Sequence, residues 1–400
     1  MNEAFIVDAV RLPRALAKKD GAYADLKPVD LLAPLFGALS ERNNVSPEMV
    51  EDVILGCSTQ SGDQGANLAK IAALYAGWSD HVSGVTINRF CCSGLDALNL
   101  AASKVMSGME SLVVAGGIEQ LSRVPMFADR GAWYSDPEVM EKTRFMHMGL
   151  AADLIAQRSG IERAELDEWA LNSHRRAEVA SNESRFAKSL IPIKDAEGKA
   201  RLSRDEAIRP TLNLEGLAAL PASFEAFVAD AQKVVERVYP ELTLKASHSV
   251  GTSPSLVDGA SLLLVANAAS CKQLGLKPRA RIRHYANASA EPVEMLTGHL
   301  RATEKLFHAT GLKPSNIDLW EINESFAASV IHYRKALNIP LENINVNGGA
   351  IAMGHPLGAT GGNLISTVLD ELERRDLCRG LVAIPGGAGV GVATLIERCA

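Results

Sequence analysis

The sequence predicts an α/β protein made of two duplicated halves, each with a mixed sheet, and a mostly helical inserted domain. Fully apolar strands alternate with amphipathic helices, which is typical of α/β units. The order of elements in the first third recurs in the last third, and a segment rich in charged and helix-forming residues separates the two. We therefore predict an N-terminal half of residues 1–117 and 246–270, an inserted domain of 118–245, and a C-terminal half of 271–400.

The duplication depends on three segment pairs that keep the same order, namely 45–54 with 312–321, 85–98 with 344–358, and 111–117 with 380–387. The first pair predicts a short helix opened by proline and followed by a strand. The second predicts a strand, a turn with a reactive side chain and a helix, and the third predicts a buried strand that ends in glycines. Cys91 and His355 are thus expected at related turns, and halves packed about a pseudo-twofold axis would direct both toward one cleft.

Composition excludes several classes of function. The 400 residues carry a net charge of -6, which gives no electrostatic footprint for nucleic acid. No run reaches the ~20 apolar residues of a membrane helix. Six cysteines without paired or metal-type spacing predict free thiols, no metal site and a cytoplasmic location. The strand predicted at Ala4–Val10 is expected to leave no room for a cleavable targeting segment.

The stretch Val85–Leu98 carries the first candidate catalytic residue. Its β-branched start predicts a strand, and Leu95 and Leu98 mark one face of a following helix, so Cys91 is expected at the turn between them. Free amides at the first helical turn and the positive end of the helix dipole favour a thiolate, which makes Cys91 a candidate nucleophile. The alternative is that Cys91 and Cys92 are buried as small hydrophobic residues.

Three stretches of the last third carry further candidates. Asn323 follows a predicted strand and either donates a hydrogen bond to a substrate oxygen or caps a helix. His355 lies among many glycines, which indicates close backbone approach and a ring held by geometry. The amides of the loop Gly386–Gly391 suit an oxyanion, although such a loop is more often a tight turn or a phosphate cradle. Its position near the C-terminus argues against a dinucleotide site.

Together these stretches resemble the signature blocks of the thiolases, the acyl-CoA acetyltransferase family. The blocks are Asn88–Leu95, Asn323–Ala327 and Gly348–Gly361. They occur in the family's order and the resemblance extends over essentially the whole chain, so agreement by chance is negligible. The resemblance implies a thiolase-like fold, a homodimer or homotetramer, and coenzyme A (CoA) as substrate or product rather than as a bound cofactor.

The resemblance also assigns roles to residues. Cys91 matches the nucleophile that takes an acyl group from a CoA thioester. His355 matches the histidine that activates this cysteine and that, together with a water held by Asn323, binds a thioester oxygen. The amides of Cys91 and Gly387 match the donors to the tetrahedral intermediate. The positions that match CoA-binding residues are His147, Met148, Arg209, Leu220, Ser253 and Phe326, and Met295 matches a methionine of the acyl pocket.

Two departures from the family pattern bear on mechanism. The position of the family's second cysteine, the acid/base at the substrate α-carbon, is Pro385, which cannot transfer a proton. His299 stands where the family has a proline, so it is either an accessory group at the acyl pocket or a surface-loop histidine without a role. Cys378 is expected before the strand that leads to Pro385, and Cys92 is expected to point away from the site.

These observations leave three functions open. The first is a thiolase that cleaves 3-ketoacyl-CoA with CoA or runs the reverse condensation of acyl-CoAs. The second is an acyl-CoA acyltransferase or thioesterase that forms acyl-Cys91 but lacks Claisen chemistry because the second cysteine is missing. The third is a non-catalytic CoA-binding subunit, which would not require Cys91, His355 and Asn323. We rank them in this order.

Overall fold

The computed structural model describes residues 3–399, and hydrogen bonds join its strands into a ten-stranded mixed sheet. The strands are β1 Ala4–Arg11, β2 Ala15–Leu16, β3 Asp52–Gly56, β4 Val85–Ile87, β5 Leu112–Glu119, β6 Val257–Asn267, β7 Ala280–Ser289, β8 Leu319–Ile322, β9 Arg379–Pro385 and β10 Val390–Arg398. Across the sheet the order is β4-β3-β5-β6-β1-β7-β10-β9-β8, and the short β2 pairs with β6.

The sheet consists of two similar sets of strands that meet at β1 and β7. In the first set β4, β3 and β5 are parallel, and β6 and β1 follow in antiparallel order. In the second set β8 and β9 are parallel, and β10 and β7 follow in antiparallel order. The residue pairs Phe5–Arg281 and Ile6–Ala280 join the two sets. The repeated pattern of strand directions confirms the predicted duplication.

The helices follow the strands in both sets. They are α1 Pro28–Asn43, α2 Leu68–Tyr75, α3 Ser93–Ser107, α4 Ala132–Ser135, α5 Pro137–Thr143, α6 Met148–Arg158, α7 Arg163–Asn182, α8 Leu214–Ala218, α9 Val228–Val235, α10 Ala268–Leu274, α11 Gly298–Thr310, α12 Ala327–Ala336, α13 Ala350–Met353 and α14 Thr360–Arg375. Short 3₁₀ turns at Pro47–Met49 and Pro314–Asn316 precede β3 and β8, so the helix-then-strand prediction is confirmed in both halves.

Both faces of the sheet are buried, because alternate residues of a strand enter different apolar clusters. In β5, Val113 and Ala115 pack with α3 and α14, whereas Leu112 and Val114 pack with α1 and α2. The second set of strands divides its side chains in the same way between the α3/α14 cluster and a cluster that contains α11 and α12. Helices α3 and α14 therefore form a central layer between the two sets, which explains why the strands are continuous apolar runs.

The two duplicated turns differ in what precedes them. The predicted turn at Cys91 is confirmed, since β4 ends at Ile87 and α3 begins at Ser93. The strand predicted at the start of the matching segment 344–358 is wrong, because a single bridge joins Ile344 to Trp320. The Asn345 side chain accepts a hydrogen bond from the N–H of the β8 residue Ile322 at 2.8 Å and donates to its carbonyl at 2.9 Å. This side chain thus adds to the backbone pairing, in which the Asn345 N–H donates to the Trp320 carbonyl at 2.8 Å.

Between β5 and β6 the chain forms α4 to α9. Of these, α6 and α7 pack on α12, and Leu150, Leu154 and Trp169 enter the cluster that contains Trp320 and Tyr333. The boundaries of the inserted domain stay a prediction. No helix within residues 3–399 combines the length and the apolar character needed to cross a membrane.

Candidate active site

The turn between β4 and α3 presents Cys91. Phe90 has a φ of 49°, in the left-handed region that non-glycine residues rarely occupy. The Ser93 hydroxyl accepts a hydrogen bond from the Arg89 N–H at 2.8 Å and donates one to the Phe90 carbonyl at 2.6 Å. These bonds hold the unusual backbone conformation that leads into the helix.

Cys92, the next residue, belongs to the core. It is fully buried, and its thiol donates to the Ile384 carbonyl of β9 at 3.1 Å. A Cβ atom at Gly386 would lie 3.1 Å from the same sulfur, so Cys92 packs beneath the chain that leads to Gly387. The buried-hydrophobe interpretation therefore fits Cys92, whereas Cys91 lines a cavity.

Cys91 is a thiol in the resting protein. Burial raises the pKa of the Cys91 thiol to about 12, and the negative charge of Glu119 adds to this, whereas a backbone hydrogen bond acts in the opposite direction. The prediction that the helix N-terminus favours the thiolate is therefore wrong for the resting protein. Cys91 is only 6% exposed, so loss of hydration outweighs a helix dipole that contributes about 0.3–1 kcal/mol. Cys91 consequently needs a base.

The two halves touch at the Cys91 and His355 turns. A Cβ atom at Gly94, in the first turn of α3, would collide with the carbonyl of Gly358, which lies just before α14. Glycine is required there because the two backbones meet directly. Leu357, which follows His355 closely in the chain, lines the same cavity as Cys91. The contact agrees with the predicted pairing of the two turns at one cleft.

Sequence reasoning missed Glu119, a buried carboxylate that joins loops of both halves at the end of β5. It accepts hydrogen bonds from the N–H groups of Ser58 at 2.9 Å, Thr59 at 3.0 Å and Gly358 at 3.0 Å, and from the Gln64 side chain at 3.0 Å. Burial raises the pKa of Glu119, and these four bonds act in the opposite direction. An acidic residue directly after a buried apolar strand was the available signal.

His355 is held through its backbone and one ring nitrogen. Its N–H donates to the Ser255 carbonyl at 3.0 Å, and Arg14 donates to the preceding carbonyl of Gly354 at 3.0 Å. Nδ1 lies 2.7 Å from the Thr360 hydroxyl, whereas Nε2 has no hydrogen-bond partner within residues 3–399. Burial, assisted by the positive charge of Arg14, lowers the pKa of His355 to about 3. The ring is therefore neutral at pH 7, and a neutral imidazole can accept a proton.

Asn323 follows β8 and is fully buried. Its Nδ2 donates to the Ser325 hydroxyl at 2.8 Å, and its Oδ1 has no partner in the part of the chain that the structure describes. The alternative interpretation of Asn323 as a helix cap is wrong, because Phe326 occupies the N-cap position of α12. A buried amide oxygen without a protein partner is the kind of group to which ordered water binds.

Cys91 and Gly387 line one cavity. Gly387 follows β9, and a Cβ atom there would press on the rings of Phe90 and Trp133 at 3.2 and 3.0 Å. The absence of a side chain lets the Gly387 backbone approach the Cys91 turn, where the amides of both residues are the predicted oxyanion donors. Met148, at the start of α6, lines the same cavity.

Two of the predicted CoA-binding residues, His147 and Phe326, belong to an aromatic cluster. His147 precedes α6 and accepts a hydrogen bond from the Gly149 N–H at 3.2 Å through Nδ1. Its ring lies 4.8 Å from that of Phe224 and stacks on Phe227 at 5.4 Å, and Phe224 contacts Phe326 at 5.9 Å. Sequence reasoning missed Phe224 and Phe227, because a phenylalanine in a helical segment is ordinarily a core residue.

Other members of the predicted binding set lie in different surroundings. Leu220 packs over Gly251, where a Cβ atom would approach it to 2.9 Å, and Gly251 lies close to Ser253 in the chain. Arg209 is exposed. Met295 is fully buried with a φ of 49° and belongs to the apolar cluster of the second half. Met295 is outside the group of residues that line the Cys91 cavity.

Two groups that could replace the missing second cysteine lie in unsuitable places. His299 is fully buried in α11, so its interpretation as a surface-loop residue is wrong. Its ring stacks at 4.7 Å on Tyr333, near the end of α12 that is remote from Asn323. Burial also lowers the pKa of His299 to about 3. Cys378 is exposed and precedes β9, about 20 Å along an extended strand from Pro385 at its other end.

A buried thiol at a helix start, a neutral imidazole from the duplicated half and a glycine loop beside the thiol are the parts of a cysteine-based acyl-transfer site. The molecule is therefore an acyltransferase with a duplicated α/β fold. The chain belongs to the thiolase family: the family models described as thiolase, N-terminal domain, and thiolase, C-terminal domain, match residues 4–228 and 276–398.

Full-length relatives agree with this assignment. The chain is 37% identical to a 3-ketoacyl-CoA thiolase of Idiomarina loihiensis over 100% of both proteins. It is 36% identical to a steroid 3-ketoacyl-CoA thiolase of Mycobacterium tuberculosis over 100% of this chain and 95% of the relative. The solved structure of the Bacillus anthracis acetyl-CoA acetyltransferase is similar with a TM-score of 0.87 and 33% identity, over 100% of this chain and 99% of that one.

Proposed function

We propose that the protein transfers acyl groups through acyl-Cys91, cleaving 3-ketoacyl-CoA with CoA or running the reverse condensation. The observation that carries this proposal is the contact of the Cys91 turn in one half with the His355 turn in the other. Nε2 of His355 takes the thiol proton as the sulfur attacks the substrate carbonyl. Because burial keeps both the Cys91 thiol and the His355 imidazole uncharged, the proton must move as the sulfur attacks, when the negative charge passes to the substrate oxygen.

The amides of Cys91 and Gly387 are proposed to stabilise the tetrahedral intermediate. Loss of one such donor typically costs about 3–4 kcal/mol of transition-state stabilisation. CoA enters beside the cluster of His147, Phe224 and Phe326, whose rings offer an apolar surface to the pantetheine chain. CoA acts as substrate and product, and the proposal includes no resident cofactor.

The step that differs from the family pattern is proton transfer at the substrate α-carbon. Cleavage releases an enolate of the CoA product, and this carbon must receive a proton. Pro385 has no proton to give, and the Cys92 thiol is bonded to the Ile384 carbonyl. We assign this proton to His355, which has just received one from Cys91, with a water held by Asn323 as the alternative carrier.

A second candidate function is favoured by Pro385 itself. Without an acid/base at that position, the enzyme would form acyl-Cys91 and pass the acyl group to another thiol or to water without making or breaking a carbon–carbon bond. Acylation needs only the nucleophile, the base and the oxyanion donors. Both candidates therefore share the first half-reaction and differ in the second.

The deciding experiment follows 3-ketodecanoyl-CoA in the presence of free CoA while mass spectrometry monitors Cys91. Loss of the 3-keto compound, with an octanoyl group on Cys91 and release of acetyl-CoA, is the expected result, because cleavage between the α-carbon and the keto carbon leaves eight of the ten carbons on the enzyme. An adduct formed from acyl-CoA without cleavage of the 3-keto compound would instead favour the second candidate. Absence of any Cys91 adduct with every acyl-CoA would contradict both functions.

We also propose a homodimer or homotetramer that forms at the outer edge of the first half. Strand β4 is the last strand of the sheet on this side. Its Val85 is exposed, as are Ile71, Leu74 and Tyr75 of the neighbouring α2, so apolar side chains lie next to an unpaired strand edge. Light scattering coupled to size-exclusion chromatography tests this, and Val85→Lys should shift the mass toward the monomer.

We further propose a cytoplasmic location. All six cysteines are free, and all lie among the described residues. Free thiols are typical of a reducing compartment. Fractionation of cells that express the full chain tests the location directly.

A further inference from the structure

Aromatic side chains are scarce in this chain but concentrated beside Cys91. Only 5% of the residues are aromatic. Four of them, Phe90, Phe127, Trp133 and Tyr134, line the Cys91 cavity, and we call these four the aromatic wall. Phe90 and Trp133 meet at 5.1 Å and 50°, and Phe127 and Tyr134 at 4.5 Å and 56°. Tilted contacts of this kind are what aromatic rings prefer from one another, so the wall suits a further ring.

The wall continues away from the nucleophile. Phe145 meets Trp133 edge to face at 5.0 Å and 89°. A neighbouring cavity shares Phe127, Trp133 and Tyr134 with the Cys91 cavity and is also lined by His147 and Met148. These three rings therefore form one side of both cavities.

The aromatic wall lies beside the proposed CoA surface, because Met148 lines the Cys91 cavity and His147 lines the neighbouring one. Phe224 and Phe326 of that surface are outside the residues that line the Cys91 cavity. An acyl group bonded to the Cys91 sulfur lies in the cavity that the aromatic wall lines. The Tyr134 hydroxyl is bonded to the Asp129 carboxylate, so this polar group already has a partner and leaves the ring as the surface available to a substrate.

The backbone of the wall is in an uncommon conformation. Phe90 has a φ of 49° and Phe127 a φ of 70°, although neither is glycine. Non-glycine residues in this region are strained, and such strain concentrates at functional sites. Gly387 leaves just enough room for the Phe90 and Trp133 rings, since any Cβ atom would press on both. The chain thus maintains this ring arrangement against local preference.

Building on the proposed acyl transfer, we propose that the acyl group carried on Cys91 bears an aromatic ring that packs against the aromatic wall. In the acylation step the bond from the Cys91 sulfur to the acyl carbon forms and the bond from the CoA sulfur to that carbon breaks. The thiol proton passes through His355 to the departing CoA sulfur. Recognition comes from ring–ring contact and from burial of apolar surface in the Cys91 cavity.

The test compares acylation of the full-length protein by 4-phenylbutanoyl-CoA, 4-cyclohexylbutanoyl-CoA and decanoyl-CoA, whose acyl groups have the same number of carbons. The readout is the second-order rate of acyl-Cys91 formation by mass spectrometry. We expect the phenyl compound to react about three- to tenfold faster than the cyclohexyl compound, which has a similar shape but no π-face. Equal rates for these two would overturn the inference.

Acetyl-CoA separates this inference from the proposed function. If acetyl-CoA acylates Cys91 and the phenyl compound does not, the inference fails and the proposed acyl transfer stands. If no acyl-CoA acylates Cys91, both fail. Trp133→Leu is expected to bring the phenyl-to-cyclohexyl ratio close to one, whereas Phe224→Leu, which removes a ring on the CoA side, should keep the wild-type ratio. A ratio measured within one variant is independent of general losses, so an unchanged ratio in Trp133→Leu would also overturn the inference.

Discussion

The Cys91 and His355 turns occupy matching places in the two halves, yet they are built differently. The Cys91 turn follows a paired strand, and the Ser93 hydroxyl bonds its backbone. The His355 turn follows a chain with a single bridge, and the Asn345 side chain makes the hydrogen bonds that a strand would otherwise make. Duplication thus preserves the position of the turn while the means of holding it differ.

The strands β5 and β9, which end near these turns, also carry different residues at their ends. In the first half, β5 ends at Glu119, whose carboxylate gathers hydrogen bonds from both halves. In the second half, β9 ends at Pro385 and leads to Gly387, whose amide is the proposed oxyanion donor. One strand end therefore supports the site and the other contributes to its chemistry. The duplicated fold sets where these residues lie, and the residues that differ between the two halves determine the chemistry of the site.

The largest expected effect separates the two adjacent cysteines. Cys91→Ala should abolish acylation and lower thiolysis by at least about 10⁴-fold, because the nucleophile is removed. Cys92→Ala should keep most of the activity, because its thiol is buried against Ile384. Steady-state cleavage of a 3-ketoacyl-CoA measures both. Similar losses in the two variants would contradict the division of roles.

The opposite turn is tested by His355→Ala, which should lower the rate of Cys91 acylation by about 10²- to 10⁴-fold. Thr360→Val removes only the partner of Nδ1 and should lower it by about tenfold, since the ring keeps its base but loses its orientation. Stopped-flow acylation with circular dichroism as a folding control measures both effects. A wild-type rate in His355→Ala would exclude it as the base.

Alkylation of Cys91 is expected to depend steeply on pH. Because its pKa is raised to about 12, the thiolate fraction rises about tenfold per pH unit between pH 7 and 9. Iodoacetamide labelling followed by peptide mass spectrometry measures this, and the exposed Cys378 in the same sample gives a comparison. A Cys91 labelling rate that levels off below pH 8 would indicate a resting thiolate and contradict the expectation.

Introducing a thiol at the end of β9 tests whether the missing second cysteine limits thiolysis. Pro385→Cys is expected to raise thiolysis by about tenfold, because a cysteine at the end of β9 supplies an acid/base for the α-carbon. Pro385→Ser has a similar size without the acidic thiol and serves as the matched control. If neither variant exceeds the wild type while acylation is retained, proton transfer at the α-carbon does not limit the reaction.

The smallest effect concerns His299. Its folded-state pKa of about 3 lies below the ordinary value of 6.5, so the unfolded chain binds a proton that the folded protein excludes, and its contribution to stability falls as the pH drops from about 6.5 toward 3. His299→Phe should therefore lose less unfolding free energy between pH 7 and 5 than the wild type in urea titrations. The variant should also keep its thiolysis activity, and a marked loss would restore His299 as an accessory group.

Local sequence patterns predict much of the duplicated α/β fold. Apolar strands and the helix after Cys91 were predicted from periodicity, and the observed β1 at Ala4–Arg11 and α3 at Ser93–Ser107 agree with this. The strand predicted at the start of the segment 344–358 is wrong because one backbone bridge and the Asn345 side chain make the pairing there, and a local pattern gives no sign of this. The burial of His299 was also not predicted, because a polar residue at a helix start gives no indication that a ring will stack against it.

The sequence by itself determined the duplicated α/β frame, the turn that carries Cys91 and the family blocks around His355, because these depend on periodicity and on short motifs. Only the tertiary structure decided that the Cys91 thiol and the His355 imidazole are both uncharged, since burial sets their pKa values. It alone also placed Trp133 beside Cys91. Contacts between residues far apart in the chain control hydration and packing, and no local pattern encodes them.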